Sequence, residues 1–169
     1  TICNDGLPEM SGRALEILNN VHPRVLFIRA DCLQPFVQEA GRQGMDAARD
    51  LALLVAEADE QVIGEETAHS VGARLGLKVP RVVRSDQAMF LAAECLGCGA
   101  FHTPKWAYHL EVVDEFHLKV LPPNQEGVLV ITNLFARTTP IVRYVSGIRA
   151  TMETGNCPWE GEQWRLRLW

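Results

Sequence analysis

Cys95, Cys98 and His102 follow one another as Cys-x2-Cys-x3-His, which places three metal-binding side chains within eight residues. Thiolate sulfur and imidazole nitrogen are the ligands zinc prefers, and a structural zinc site closes four tetrahedral positions with them. Cys157, in the stretch Gly-Asn-Cys-Pro-Trp, is the natural fourth. A closed site of this kind would be structural. It would pin the C-terminal segment to the loop after the sheet, and its binding energy would add directly to folding. The same four residues also read as three reduced thiols and a surface histidine, and the spacing alone leaves both readings open.

Other chemistry-bearing residues carry weaker patterns. His109 and His117 flank Glu111 and Asp114, a set that would suit a second metal or an acid–base pair. Their different places in the pattern favour solvated residues of a β-hairpin. His69 lies beside Glu65 and Glu66 on what reads as an exposed helix face. Ser85, Asp86 and Gln87 follow an apolar strand, the position at which open α/β sheets bind ligands. They read either as the remnant of a nucleotide loop or as a strand-to-helix turn capped by Ser or Asp. No Ser-His-Asp or Cys-His nucleophile arrangement stands out. Cys3 and Cys32 stand alone.

The elements that must position these residues come in two kinds. Residues 10–21 place Leu15, Leu18 and Val21 on one helical face. After Pro23, residues 24–28 read as a short buried strand. Asp31 is the expected N-cap of the next helix, which runs to Gly41 or Gly44, with Pro35 tolerable only in its first turn. A second strand is expected over 51–55, a helix over 65–75 closed by Gly76, and a third strand over 79–83. Apolar strands separated by amphipathic helices predict a parallel sheet covered by helices. From about Cys95 the character changes. Residues 108–113, 127–134 and 141–145 read as strands around a turn-rich connection at 121–127, and 159–169 shows no clear period. The expected fold class is therefore α/β, with a parallel sheet and covering helices over 1–94. A small, mostly β, barrel-like portion carrying the zinc loop follows over 95–169.

A chain of 169 residues that is 47% hydrophobic and 22% charged can build a globular core. Its net charge of -5 argues against a nucleic-acid partner, which needs a basic patch to displace counterions. The apolar runs are too short to span a bilayer, and no secretory leader pattern opens the chain. The expectation is a cytoplasmic protein without membrane contact, with its five cysteines reduced or metal-bound.

Several stretches together resemble phenylacetate–coenzyme A ligases, a family of adenylate-forming (AMP-binding) enzymes. Residues 15–28 resemble that family's leucine-rich helix, Lys/Arg-Pro and apolar strand, and Leu33 with Glu39 and Ala40 fits the helix after it. Ala92 to Cys95 followed by Gly99 to His102 is similar to its "AEC … GLH". Residues 111–114, 121–123 and 126–132 are similar to "EVVD … LPPGEEGELVLT", and residues 140–147 to "PLIRYRTGD". Order and spacing hold over nearly the whole chain. The resemblance implies an acyl-activating ligase that joins a carboxylic acid to a nucleotide, with ATP and magnesium as the cofactor pair. It places Glu60, Ser85, Asp86, Gln87, Arg143 and Tyr144 along the nucleotide and acyl cleft. It also implies a zinc site in which a Cys and a His pair with a later "CxC". Here the second cysteine of that pair is Trp159 and Cys98 is extra, so one ligand has moved to the local segment.

The chain departs from that pattern at positions that handle ATP. Gln87 stands where "YGSTE" ends in a glutamate, and a neutral amide lacks the charge a hard cation wants. The "GGE" motif appears as Ala58-Asp-Glu60, without its glycines. Ile148 replaces the aspartate that binds the ribose hydroxyls, and an isoleucine accepts no hydrogen bond. Losing such a partner costs roughly 1–3 kcal/mol. The Gly/Ser/Thr-rich phosphate loop and the lid with its catalytic lysine have no counterpart. Two expectations follow. One is a portion of an acyl-activating enzyme, completed by further sequence, a homodimer or a partner chain. The other is a non-catalytic relative that binds a small molecule or a protein.

Overall fold

A computed structural model describes residues 11–59, 61–158 and 161–169. Cys3, Glu60 and Trp159 lie outside the described residues. The chain forms two compact units, one from the residues up to 58 with Ile63–Arg81, the other from 59–62 with Val82–Trp169. The compositional change near Cys95 falls inside the second.

In the first unit the elements are α1 (Ser11–Val21), β1 (Val25–Arg29), α2 (Ala30–Gln43), α3 (Ala47–Asp50), β2 (Leu53–Asp59) and α4 (Glu65–Leu75). β1 and β2 pair in parallel, from Val25 opposite Leu53 to Arg29 opposite Glu57. The core comes from helical faces of period 3.6: Leu15 and Leu18 on α1, and Leu33, Phe36, Val37 and Ala40 on α2, meet Leu54 of β2 and Val71 of α4. Gly44 and Gly76, at φ 69° and 66°, close α2 and α4 in the left-handed conformation that L side chains disfavour.

Three local expectations are corrected by the structure. Arg29, not Asp31, occupies the N-cap of α2, in extended conformation and without a side-chain cap bond. Asp31 sits inside the first turn, where its carboxylate accepts from Arg29 Nε at 3.1 Å and its charge suits the helix dipole. Pro35 lies past the first turn. It forgoes one ladder bond, and the burial of Leu33, Phe36 and Val37, each 1% exposed, keeps the helix continuous. β2 begins two residues later than expected because Leu51 is taken up in capping α3.

The second unit is a sheet of β3 (Arg81–Ser85), β4 (Phe90–Glu94), β5 (Phe101–His102), β6 (Tyr108–Val113), β7 (Glu126–Asn133), β8 (Tyr144–Cys157) and β9 (Gly161–Leu168). Their order is β3-β4-β5-β9-β8-β7-β6, and the pairings are antiparallel. One face gathers an apolar cluster that includes Phe90, Phe101, Leu129, Ile131, Ile148, Leu166 and Leu168. The fold class is thus α/β, with the helices in the first unit and a mostly antiparallel sheet in the second. β8 starts at Tyr144, so residues 141–143 precede it rather than form a strand. β9 was not expected, although Trp164-Arg-Leu-Arg-Leu168 alternates with the period of a strand.

Candidate metal centre

β4 ends at Glu94 and β5 returns antiparallel beside it, with Ala93 opposite His102 and Glu94 opposite Phe101. The connection is tight: Cys95 N donates to Ala100 O at 2.8 Å and Gly99 N donates to Cys95 O at 2.8 Å. Gly99 supplies the left-handed φ of 66° that this turn needs. The turn sets Cys98 and Cys95 on one side, and Gly97 N donates to Cys95 Sγ at 3.4 Å. His102, on β5, brings Nε2 to 3.1 Å from Cys98 Sγ.

The fourth group arrives from far along the chain. β9 pairs with β5 at Leu166 opposite Phe101 and with β8 from Ala150–Leu168 to Cys157–Gly161. That register carries Cys157, the last residue of β8, to an Sγ–Sγ distance of 3.7 Å from Cys95. All four ligand atoms lie within 4.8 Å of one another. A tetrahedral zinc with sulfur at about 2.3 Å has sulfur–sulfur edges of about 3.8 Å, so the spacing fits the ion. A disulfide needs about 2.05 Å, and Cys95, Cys98 and Cys157 are free thiols.

Cys157 is buried and its three companions are partly buried. Burial pushes the Cys98 thiol up, the Cys95 and Cys157 thiols add to that rise, and the Ala100 backbone opposes it. A divalent cation bound there would displace the thiol protons to give thiolates. The donor set of three sulfurs and one imidazole leaves no open position for substrate, which makes the arrangement structural in kind.

The residues expected along a nucleotide cleft have other partners. Ser85 is 1% exposed and its Oγ accepts from Ala88 N at 3.2 Å, as a turn cap does. Asp86 is exposed, lies 3.3 Å from Arg84 Nε, and its N donates to Asp59 Oδ1 at 3.4 Å. Gln87 Oε1 accepts from Tyr144 Oη at 2.9 Å, which joins two stretches far apart in sequence. Arg143, at φ 51°, sits 3.3 Å from Glu111 Oε1 and donates to Leu118 O at 3.1 Å. Ile148 is 3% exposed and packs within the apolar cluster of the sheet.

His69 and His109 are exposed. His117 Nδ1 lies 3.2 Å from Asp114 Oδ1, inside a turn where that carboxylate also accepts from the backbone of Phe116, His117 and Lys119. Among the described residues these groups gather no further metal-binding set. Asn133 was missed from the sequence. It is 5% exposed, donates to Ala88 O at 3.1 Å, and accepts from Phe135 N and Ala136 N. An amide ending an apolar strand just before a loop was the available signal.

The sequence matches no family model and no curated protein. Solved structures do match. An open conformation of 2-hydroxyisobutyryl-CoA ligase, in complex with 2-HIB-AMP and CoA, aligns at a TM-score of 0.81 and 20% identity, over 96% of this chain and 38% of that one. ATP-bound MatB from Rhodopseudomonas palustris aligns at 0.65 and 12% identity, over 92% and 32%. An acyl-CoA synthetase from Brucella canis aligns at 0.59 and 17% identity, over 85% and 29%. The chain therefore shares the fold of part of these enzymes and spans less than two fifths of the length of each.

Proposed function

We propose that this chain is the central portion of an acyl-activating enzyme, which uses ATP to convert a carboxylic acid to its acyl-adenylate. The observation that carries the reading is the alignment of 96% of the chain, at a TM-score of 0.81, with a CoA ligase solved with an acyl-adenylate and CoA. The sequence resemblance points within that class to the phenylacetate–coenzyme A ligase type. Ser85, Asp86, Gln87, Arg143 and Tyr144, with Glu60, would border the nucleotide and acyl cleft, and further sequence or a partner chain would supply the remaining elements. The Tyr144–Gln87 hydrogen bond of 2.9 Å supports this, since it unites two of the resembling motifs. Cys95, Cys98, His102 and Cys157 would hold a structural zinc that ties the end of β8 to the β4–β5 turn.

ATP–pyrophosphate exchange by the protein carrying this segment, assayed across a panel of carboxylic acids, tests the reading. Acid-dependent exchange is the expected result, and its absence with every acid would overturn it. A second reading, a non-catalytic relative that binds a small molecule or a partner protein, is favoured by Ile148. The position where the resemblance wants a ribose-binding aspartate is apolar and inside the core. Absence of exchange together with a retained metal would select that reading.

A further inference from the structure

The apolar face of the second unit continues into a cavity of about 400 Å³, a volume typical of small-molecule sites. β5 is only two residues long and meets β9 at the single position Phe101–Leu166. Trp164 is held by β8 through Thr154, and no register on its β5 side is made among the described residues. The connection through Thr103 and Lys105 passes there instead of a strand, and the space remains open. Phe101, Leu110, Met152, Trp164 and Leu166 give it apolar walls. Phe101 and Leu166 are core residues, 1% and 3% exposed, whereas Trp164 is 52% exposed at the mouth.

His102, a ligand of the candidate metal centre, and His109 belong to the polar side of the cavity together with Thr103, Lys105 and Tyr108. Thr103 already donates to Leu91 O at 2.9 Å and Tyr108 to Met89 O at 2.9 Å. Lys105 is the one lysine, arginine or carboxylate in the lining, and among the described residues its ammonium has no hydrogen-bond or ion-pair partner. An apolar chamber with a single free cation suits an anion that has an apolar body. The net charge of -5 gives the chain no general attraction for anions, so selection rests on Lys105 locally. A nucleotide would bring more charge and polarity than these walls can pair.

We propose that this cavity binds an apolar carboxylate, its chain against Leu110, Met152 and Trp164 and its carboxylate at the Lys105 ammonium. None of Ser85, Asp86, Gln87, Arg143 or Tyr144 lines it, so the site is separate from the proposed nucleotide cleft. Calorimetric titration of the chain, purified without chelator and without ATP, uses octanoate and its uncharged counterpart 1-octanol as probes. Octanoate should saturate one site. Lys105→Ala should weaken octanoate about ten-fold or more, while Lys105→Arg stays within about three-fold and octanol binding is unchanged by either. Met152→Trp, which fills the chamber, should weaken both probes with metal content unaltered. The proposal is overturned if octanoate shows no saturable binding, binds Lys105→Ala as tightly as the wild type, or is indifferent to Met152→Trp. No nucleotide enters this test, so its failure and a failure of pyrophosphate exchange are distinguishable.

Discussion

Cys95 and Cys157 stand 62 positions apart and end with their sulfurs 3.7 Å from each other. Ligand chemistry and the local Cys-x2-Cys-x3-His spacing were legible in the sequence because both are properties of one short turn. The arrival of Cys157 was legible only as a count of ligands, since it depends on the register between β8 and β9. Cys157→Ser should reduce bound zinc to well below one ion per chain and lower Tm by about 6–12 °C, for a loss of about 3 kcal/mol in a chain of this length. Elemental analysis with a thermal melt checks both. At Ile148 the family resemblance implies an aspartate, whereas the structure places the isoleucine in the core. Ile148→Asp should cost about 3 kcal/mol or more, because a carboxyl group would enter an apolar cluster without a partner. Urea denaturation reads this directly, and an undiminished stability would show that the position faces a cleft.

At the scale of elements, sequence reading did best where period and stop signal agreed. α4 spans Glu65–Leu75 and is closed by Gly76, as the pattern required. It did worst where strands are short or paired at a distance. β4 is alanine-rich and β5 is only two residues long, so neither shows a β-branched run. β9 alternates at its end, but Trp164, Arg165 and Arg167 within it leave Leu166 and Leu168 as its aliphatic residues, too few to mark a strand. One glycine was legible only as part of a turn: a Cβ at Gly127 would collide with Val113 O and come within 2.7 Å of Leu121 Cδ1. Gly127→Ala should therefore push β7 from β6 and cost about 1–3 kcal/mol, measured by chemical denaturation. In the turn after β6, backbone hydrogen bonds from His117 and Lys119 hold the Asp114 carboxyl below its usual range. A depressed carboxylate stabilises the fold above its unfolded-state pKa and loses that contribution as pH falls through the folded value. The stability difference between wild type and Asp114→Ala should thus be full near neutrality and shrink in acid below the usual aspartate range. Denaturation curves across pH check it, and a gap that persists unchanged into strong acid would contradict it.

At the scale of the whole molecule, the α/β class and the change to β structure were readable from patterning, since hydrophobic period switches along the chain. The antiparallel order of the second sheet was not, because strand pairing over long separations leaves no local signal. No helix among the described residues is long and apolar enough to cross a membrane. The chain shares its fold with part of several acyl-CoA ligases, and a zinc held by the four side chains that gather in this chain, Cys95, Cys98, His102 and Cys157, would tie the end of β8 to the β4–β5 turn. X-ray absorption at the zinc edge, on protein purified without chelator, tests this most directly. The expected shell has three sulfurs at about 2.3 Å and one nitrogen at about 2.0–2.1 Å. Protein without zinc, or a shell of oxygen and nitrogen alone, would contradict it.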